Sequence, residues 1–148
     1  MIMTKVARIV LPLLFGTALA LGLVVLTGGR PESPREPLKL EATGPAGGRA
    51  RFELGVAPPR TMTPTSMQLE LTAGGGAPLT GAEVACDLTM PAMPMPVNRP
   101  RLRESRPGVY VGEAIFTMAG DWEASFDIRL PGGGSGRLVF AIEEVRLR

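Results

Sequence analysis

From Asp121 to Leu130 the chain alternates without a break. Trp122, Ala124, Phe126, Ile128 and Leu130 fall on one side, and Asp121, Glu123, Ser125, Asp127 and Arg129 on the other. A period of two sends successive side chains to opposite faces of an extended strand, and one dry face against one wet face marks a half-buried antiparallel strand. The period recurs in shorter stretches. Phe52, Leu54 and Val56 form one apolar face, and Met67, Leu69 and Leu71 form another with Ser66, Gln68, Glu70 and Thr72 opposite. Further strands are predicted from Ala82 to Leu88 and from Val109 to Met118, and Leu138, Phe140 and Ile142 supply the inward face of a last one.

No long helical period follows residue 30, so these faces can be buried only by stacking one sheet on another. The predicted class is therefore an all-β antiparallel sandwich of six strands, or seven if Leu38 to Thr43 pairs. Met118-Ala119-Gly120-Asp121 is short enough for a hairpin turn, which predicts that the strands on either side of it are neighbours. Gly74 to Gly76 and Gly132 to Gly134 lack the strand, lysine and helix context of a phosphate loop and are read as connections.

With 148 residues, 45% of them hydrophobic and 20% charged, the chain can bury one compact core. Sixteen basic against fourteen acidic residues leave a net charge of +2, too little for a nucleic-acid footprint. The chain has no histidine, and no serine or carboxylate pair stands in a nucleophile or acid/base setting, so no catalytic residue is assigned. The single cysteine, Cys86, has no partner for an intramolecular disulfide. It shares an alternating side with Val84, Leu88 and Met90, which predicts a buried small apolar residue.

The residues from Ile9 to Leu26 are uncharged and follow Lys5 and Arg8. As a helix this run rises about 27 Å at ~1.5 Å per residue, close to the ~30 Å of bilayer hydrocarbon. Residues 1–28 are read as an N-terminal membrane anchor or a signal peptide, since Ala18-Leu19-Ala20 also offers a cleavage site. An uncleaved anchor is preferred, because the apolar run continues past that site. It makes the chain a single-pass protein of the cell inner membrane with its C-terminal domain in the periplasm or otherwise outside the cytoplasm. Residues 29–49, rich in proline and glycine, are read as a flexible linker, and residues 50–148 as the sandwich domain.

Met90-Pro91-Ala92-Met93-Pro94-Met95-Pro96 places three methionines and three prolines in one short stretch between two strands. Thioether sulfur is a soft, uncharged donor suited to Cu(I). Methionine is also an adaptable core filler and a docking residue. The prolines bias the stretch toward a polyproline conformation that sets Met90 and Met93 on a similar side about 9 Å apart. Met90, Met93 and Met95 are candidate metal ligands, with Met118 a fourth. Met118 also shares a strand face with Tyr110, Ala114 and Phe116, which makes core packing its competing role. The functional alternative for Cys86 is a thiolate ligand beside the methionines, but spacing counts against its pairing with Met90, because four residues of strand hold their Cα atoms about 13 Å apart. Arg99, Arg101, Arg103 and Arg106 form the densest basic run, a solvated face or a docking surface for an acidic partner or an anionic membrane.

Taken in order, Gly81-Ala82-Glu83-Val84, Met90 to Met95, Pro107-Gly108-Val109-Tyr110 and Phe116-Thr117-Met118-Ala119-Gly120-Asp121-Trp122 resemble YtkA-like and FixH-like domains over about residues 65 to 130. The resemblance implies an extracytoplasmic immunoglobulin-like sandwich, often behind one N-terminal membrane helix, in a family linked to copper handling and respiratory oxidase assembly. The preferred reading is an accessory protein without catalytic turnover in which Met90, Met93 and Met95 contact Cu(I) transiently, with a membrane protein or metallochaperone as its candidate partner. The alternative is a structural interaction module with no metal site. Because histidine is missing, any metal site here rests almost wholly on thioethers.

Overall fold

The computed structural model describes residues 36–148; the anchor or signal peptide read over residues 1–28, and the linker before Glu36, lie outside them. Eight strands follow in the order β1 (Leu38–Thr43), β2 (Arg49–Leu54), β3 (Thr65–Thr72), β4 (Glu83–Thr89), β5 (Arg103–Arg106), β6 (Val109–Ala114), β7 (Gly120–Arg129) and β8 (Ser135–Val145). They form two antiparallel sheets, one of five strands in the order β1-β2-β3-β6-β5 and one of three in the order β4-β7-β8. Among the described residues no helix is long and apolar enough to cross a membrane.

The core is made by the alternating faces. Phe52, Leu54, Met67, Leu69, Leu71 and Tyr110 of the larger sheet are buried against Cys86, Leu88, Trp122, Phe126, Ile128, Phe140 and Ile142 of the smaller one. At its centre the Phe52 ring lies 5.2 Å from Phe126 and 5.3 Å from Phe140. Each large side chain buried in this way contributes about 1.5–3 kcal/mol.

The structure departs from these expectations at four points. The strands flanking Met118–Asp121 are not neighbours: β6 pairs with β3 and β5, and β7 pairs with β4 and β8. The connection crosses between the sheets because Phe116 and Trp122, one on each side of it, both turn inward and meet edge to face at 5.3 Å. The strand predicted up to Met118 ends at Ala114 for the same reason.

Leu38 to Thr43 does pair, with Leu40 opposite Phe52, so the tail of the segment read as a flexible linker is a sheet strand. The Pro45–Gly47 3-10 turn then leads into β2. Finally, the arginine run contains β5, a strand invisible to periodicity because all four of its residues are exposed. It is an edge strand held through β6 on one side alone.

Candidate metal site at the methionine end

After Thr89 the chain leaves β4 and makes a turn rather than a polyproline segment. The Met93 N–H donates to the Met90 carbonyl at 3.3 Å, which draws the two Cα atoms to within about 7 Å. The loop is closed at its base by Leu88 N–H donating to the Asn98 carbonyl at 2.8 Å, and the Asn98 side-chain amide donates to the Ile115 carbonyl at 2.9 Å. The methionine loop is thus tied to β4 and to the segment just past the end of β6.

The four candidate ligands occupy different environments. Met90 is buried, and its Cε lies where a Cβ on Gly120 would come within 3.0 Å of it. It joins the methionine loop to the Met118–Gly120 crossing. Met95 is half-buried against the core, whereas Met93 and Met118 are exposed, at 45% and 38%. Met118 thus lies outside the fully buried core, partly open to solvent where the chain crosses between sheets. Its carbonyl accepts from the Trp122 indole N–H at 3.0 Å, which fixes the crossing to the core.

Met62 was not singled out by sequence, since it lies in a threonine-rich loop far upstream. Its N–H donates to the Phe116 carbonyl at 2.8 Å, which brings it beside the same crossing with 59% of its surface exposed. Seven large apolar side chains are exposed among the described residues. Five of them, Met62, Met93, Val97, Ile115 and Met118, belong to the segments joined here. Apolar exposure on neighbouring segments makes this end a candidate contact or ligand surface. Among the described residues no cluster of three or more His, Cys, Asp or Glu side chains could hold a metal, so a site at this end would have to be built from thioethers.

The basic run divides. Arg99 is engaged by Asp87, with Nε 2.6 Å from Oδ1. Arg101, Arg103 and Arg106 are exposed along the β5 edge, where Arg101 also bridges to Ala85 of β4.

A family model described as YtkA-like matches residues 48–127, more than half of the chain, from the start of β2 into β7. The chain belongs to the YtkA-like family. No curated protein and no solved structure matches it. The matched span of this YtkA-like domain includes both methionine segments and the turns that hold them. Two side chains within this span, Glu104 and Tyr110, do structural work. Glu104 accepts from Gly108 N–H with one carboxylate oxygen and from Gly81 N–H with the other, both at 2.9 Å. The Tyr110 hydroxyl donates to the Leu79 carbonyl at 2.8 Å and accepts from Ala82 N–H at 2.9 Å, and burial raises its pKa.

Cys86 lies in the core of the domain, 2% exposed. Burial, reinforced by the Asp87 carboxylate, pushes its thiol from 9.0 up to about 12. The folded protein therefore keeps a proton that the unfolded chain releases. The stability this contributes is fully present below pH 9.0 and is lost progressively as pH climbs toward about 12. The urea midpoint is expected to fall over that window by the equivalent of about 1 kcal/mol per pH unit, and to fall less in Cys86→Ala. Parallel curves for the two proteins would show that the thiol does not titrate with unfolding.

Proposed function

We propose that this YtkA-like protein is a non-catalytic accessory protein that receives Cu(I) at its methionine end and passes it on, in copper handling or the assembly of a respiratory oxidase. The carrying observation is that Met62, Met93 and Met118 are exposed on segments linked through the Met62–Phe116 and Met93–Met90 backbone bonds and the Met90–Gly120 contact, with Met95 half-buried in the same loop as Met93. Neutral thioethers favour soft Cu(I) over Cu(II), and without imidazole they hold it weakly, which suits transfer. The apolar rim of Val97 and Ile115 would seat the donor or acceptor, a membrane protein or metallochaperone. The apolar run from Ile9 to Leu26 would hold an immunoglobulin-like domain at the outer face of the inner membrane.

The test is a Cu(I) competition titration of the full chain in detergent. Met93→Leu combined with Met118→Leu is expected to weaken binding at least about tenfold, equivalent to ~1.4 kcal/mol. Affinity unchanged by that pair and by Met62→Leu would remove the metal site. The second reading, an interaction module with no metal, draws on the exposed guanidinium groups of Arg101, Arg103 and Arg106. It expects partner capture that weakens with salt and with their replacement by glutamine, independent of copper.

A further inference from the structure

The two sheets do not match in width, and the mismatch leaves a slot. Phe52 of β2 packs on both Phe126 of β7 and Phe140 of β8, at 5.2 and 5.3 Å. The next strand out, β1, therefore lies at or beyond the outer edge of β8, the last strand of the smaller sheet. The burial of paired residues records the overhang. Ala50, Phe52 and Leu54 of β2 are fully buried, yet their β1 partners Ala42, Leu40 and Leu38 are only half-buried on the same face.

Beneath the overhang runs a groove of about 600 Å³ with Leu38 and Leu40 on one wall and Val139, Phe140 and Ala141 of β8 on the other. One end of the region between the edges is closed by Pro45 against Gly136, and the groove reaches the Ala57–Pro59 segment at the other. No strand among the described residues pairs with the outer edge of β8. Among the described residues no backbone hydrogen bond leaves its outer side from Ser135 to Val145, and the first occurs at Arg146, whose N–H donates to the Pro59 carbonyl at 2.9 Å.

We propose that this slot is a strand-addition site: an extended polypeptide bearing lysine or arginine enters it, hydrogen-bonds to β8 and becomes the fourth strand of the smaller sheet. A free strand edge beside uncovered apolar side chains is what such recognition needs, with main-chain bonds for affinity and alternate side chains for specificity. Charge selects the occupant. Glu41, Glu143 and Glu144 line the groove and no lysine or arginine does. Arg51 engages Glu41 and Arg146 engages Glu144, which leaves Glu143 without an ion-pair partner among the described residues. An incoming cation on the outward face of the added strand would answer it.

Other occupants fit worse. The chain's own upstream segment carries prolines at 31, 34 and 37, which lack the N–H a ladder requires. A second copy pairing β8 to β8 would drive two overhanging β1 strands into the same space. The site is separate from the methionine end, and its test does not involve copper.

The experiment uses the full chain in detergent and a capped heptapeptide that alternates valine with threonine and lysine. Saturable binding is expected, with slowed amide exchange over residues 137–143. Glu143→Lys, an exposed substitution that leaves the core intact, should weaken it at least about tenfold. The same peptide N-methylated on the amides that would face β8 should not bind. Equal binding by the methylated peptide or by its glutamate counterpart, exchange unchanged at β8, no saturable binding, or self-association through this edge would each overturn the proposal.

Discussion

Replacing Trp122 with alanine is expected to destabilise the domain by about 3–5 kcal/mol, a large part of the ~5–15 kcal/mol that holds a domain of this size. Trp122 is 1% exposed, and its ring meets Phe116 edge to face, so truncation leaves a cavity at the place where the chain crosses between sheets. The indole N–H is also the donor that fixes the Met118 carbonyl. Trp122→Phe keeps most of the packing and loses that bond. It should therefore cost only ~1–2 kcal/mol, because the exposed Met118 end lets water replace the donor. Urea unfolding followed by far-ultraviolet dichroism separates the two, since Trp122 is the chain's single tryptophan and fluorescence would vanish with it. The alanine variant should shift the midpoint by roughly 1–3 M. A shift equal to that of the phenylalanine variant would mean that the indole ring is not a core anchor. If the methionine end binds Cu(I), Trp122→Phe should also weaken the metal by loosening Met118 while the fold stays intact.

The inward face of β7 could be read from the alternation: Trp122, Ala124, Phe126 and Ile128 are buried, whereas Leu130 is half-buried just past the strand end and Ser125, on the side read as wet, is buried as well. A pattern of that kind states which side is dry. It does not state which strand lies alongside, so Met118–Asp121 reads equally well as a hairpin or as a crossing between sheets. The inward turn of both Phe116 and Trp122 decides for the crossing, and that is a tertiary fact. The β5 strand was illegible for a different reason. Arg103 to Arg106 buries nothing, and its position comes from the β6 ladder and from Glu104 holding Gly81 and Gly108.

At the site, methionine spacing identified Met90, Met93 and Met95 but could not assign them different environments. Met90 is buried because Gly120, with no side chain, leaves room for its methyl group. Met62 escaped notice because its link to the Met118 crossing is a backbone bond to Phe116 across more than fifty residues. The half-buried leucines of β1 were likewise visible as an alternation, but their missing cover could be known only once Phe52 of β2 was seen to pack on both Phe126 of β7 and Phe140 of β8.

Gly108→Ala is expected to destabilise the domain by about 3 kcal/mol, and Gly47→Ala by only ~1 kcal/mol, although the two glycines have nearly the same backbone, with φ of +71° and +67°. The left-handed conformation accounts for the smaller figure. Ala46, next to Gly47, already adopts φ +56°, and a Cβ at Gly47 would meet nothing within 4 Å. At Gly108 the same methyl group would lie 2.7 Å from the Leu71 carbonyl oxygen and 2.8 Å from Pro78 Cβ. That carbonyl has no freedom to retreat, because it accepts from Leu79 N–H at 2.9 Å while Leu71 N–H donates to the Gly108 carbonyl at 2.8 Å. Moving it would also disturb the Glu104 and Tyr110 bonds that gather Gly81 and Ala82 around the same turn. The melting temperature should fall by about 12 °C for Gly108→Ala and ~4 °C for Gly47→Ala. Equal shifts would show that backbone strain alone, and not the close approach of β3 and Pro78, makes glycine necessary at position 108.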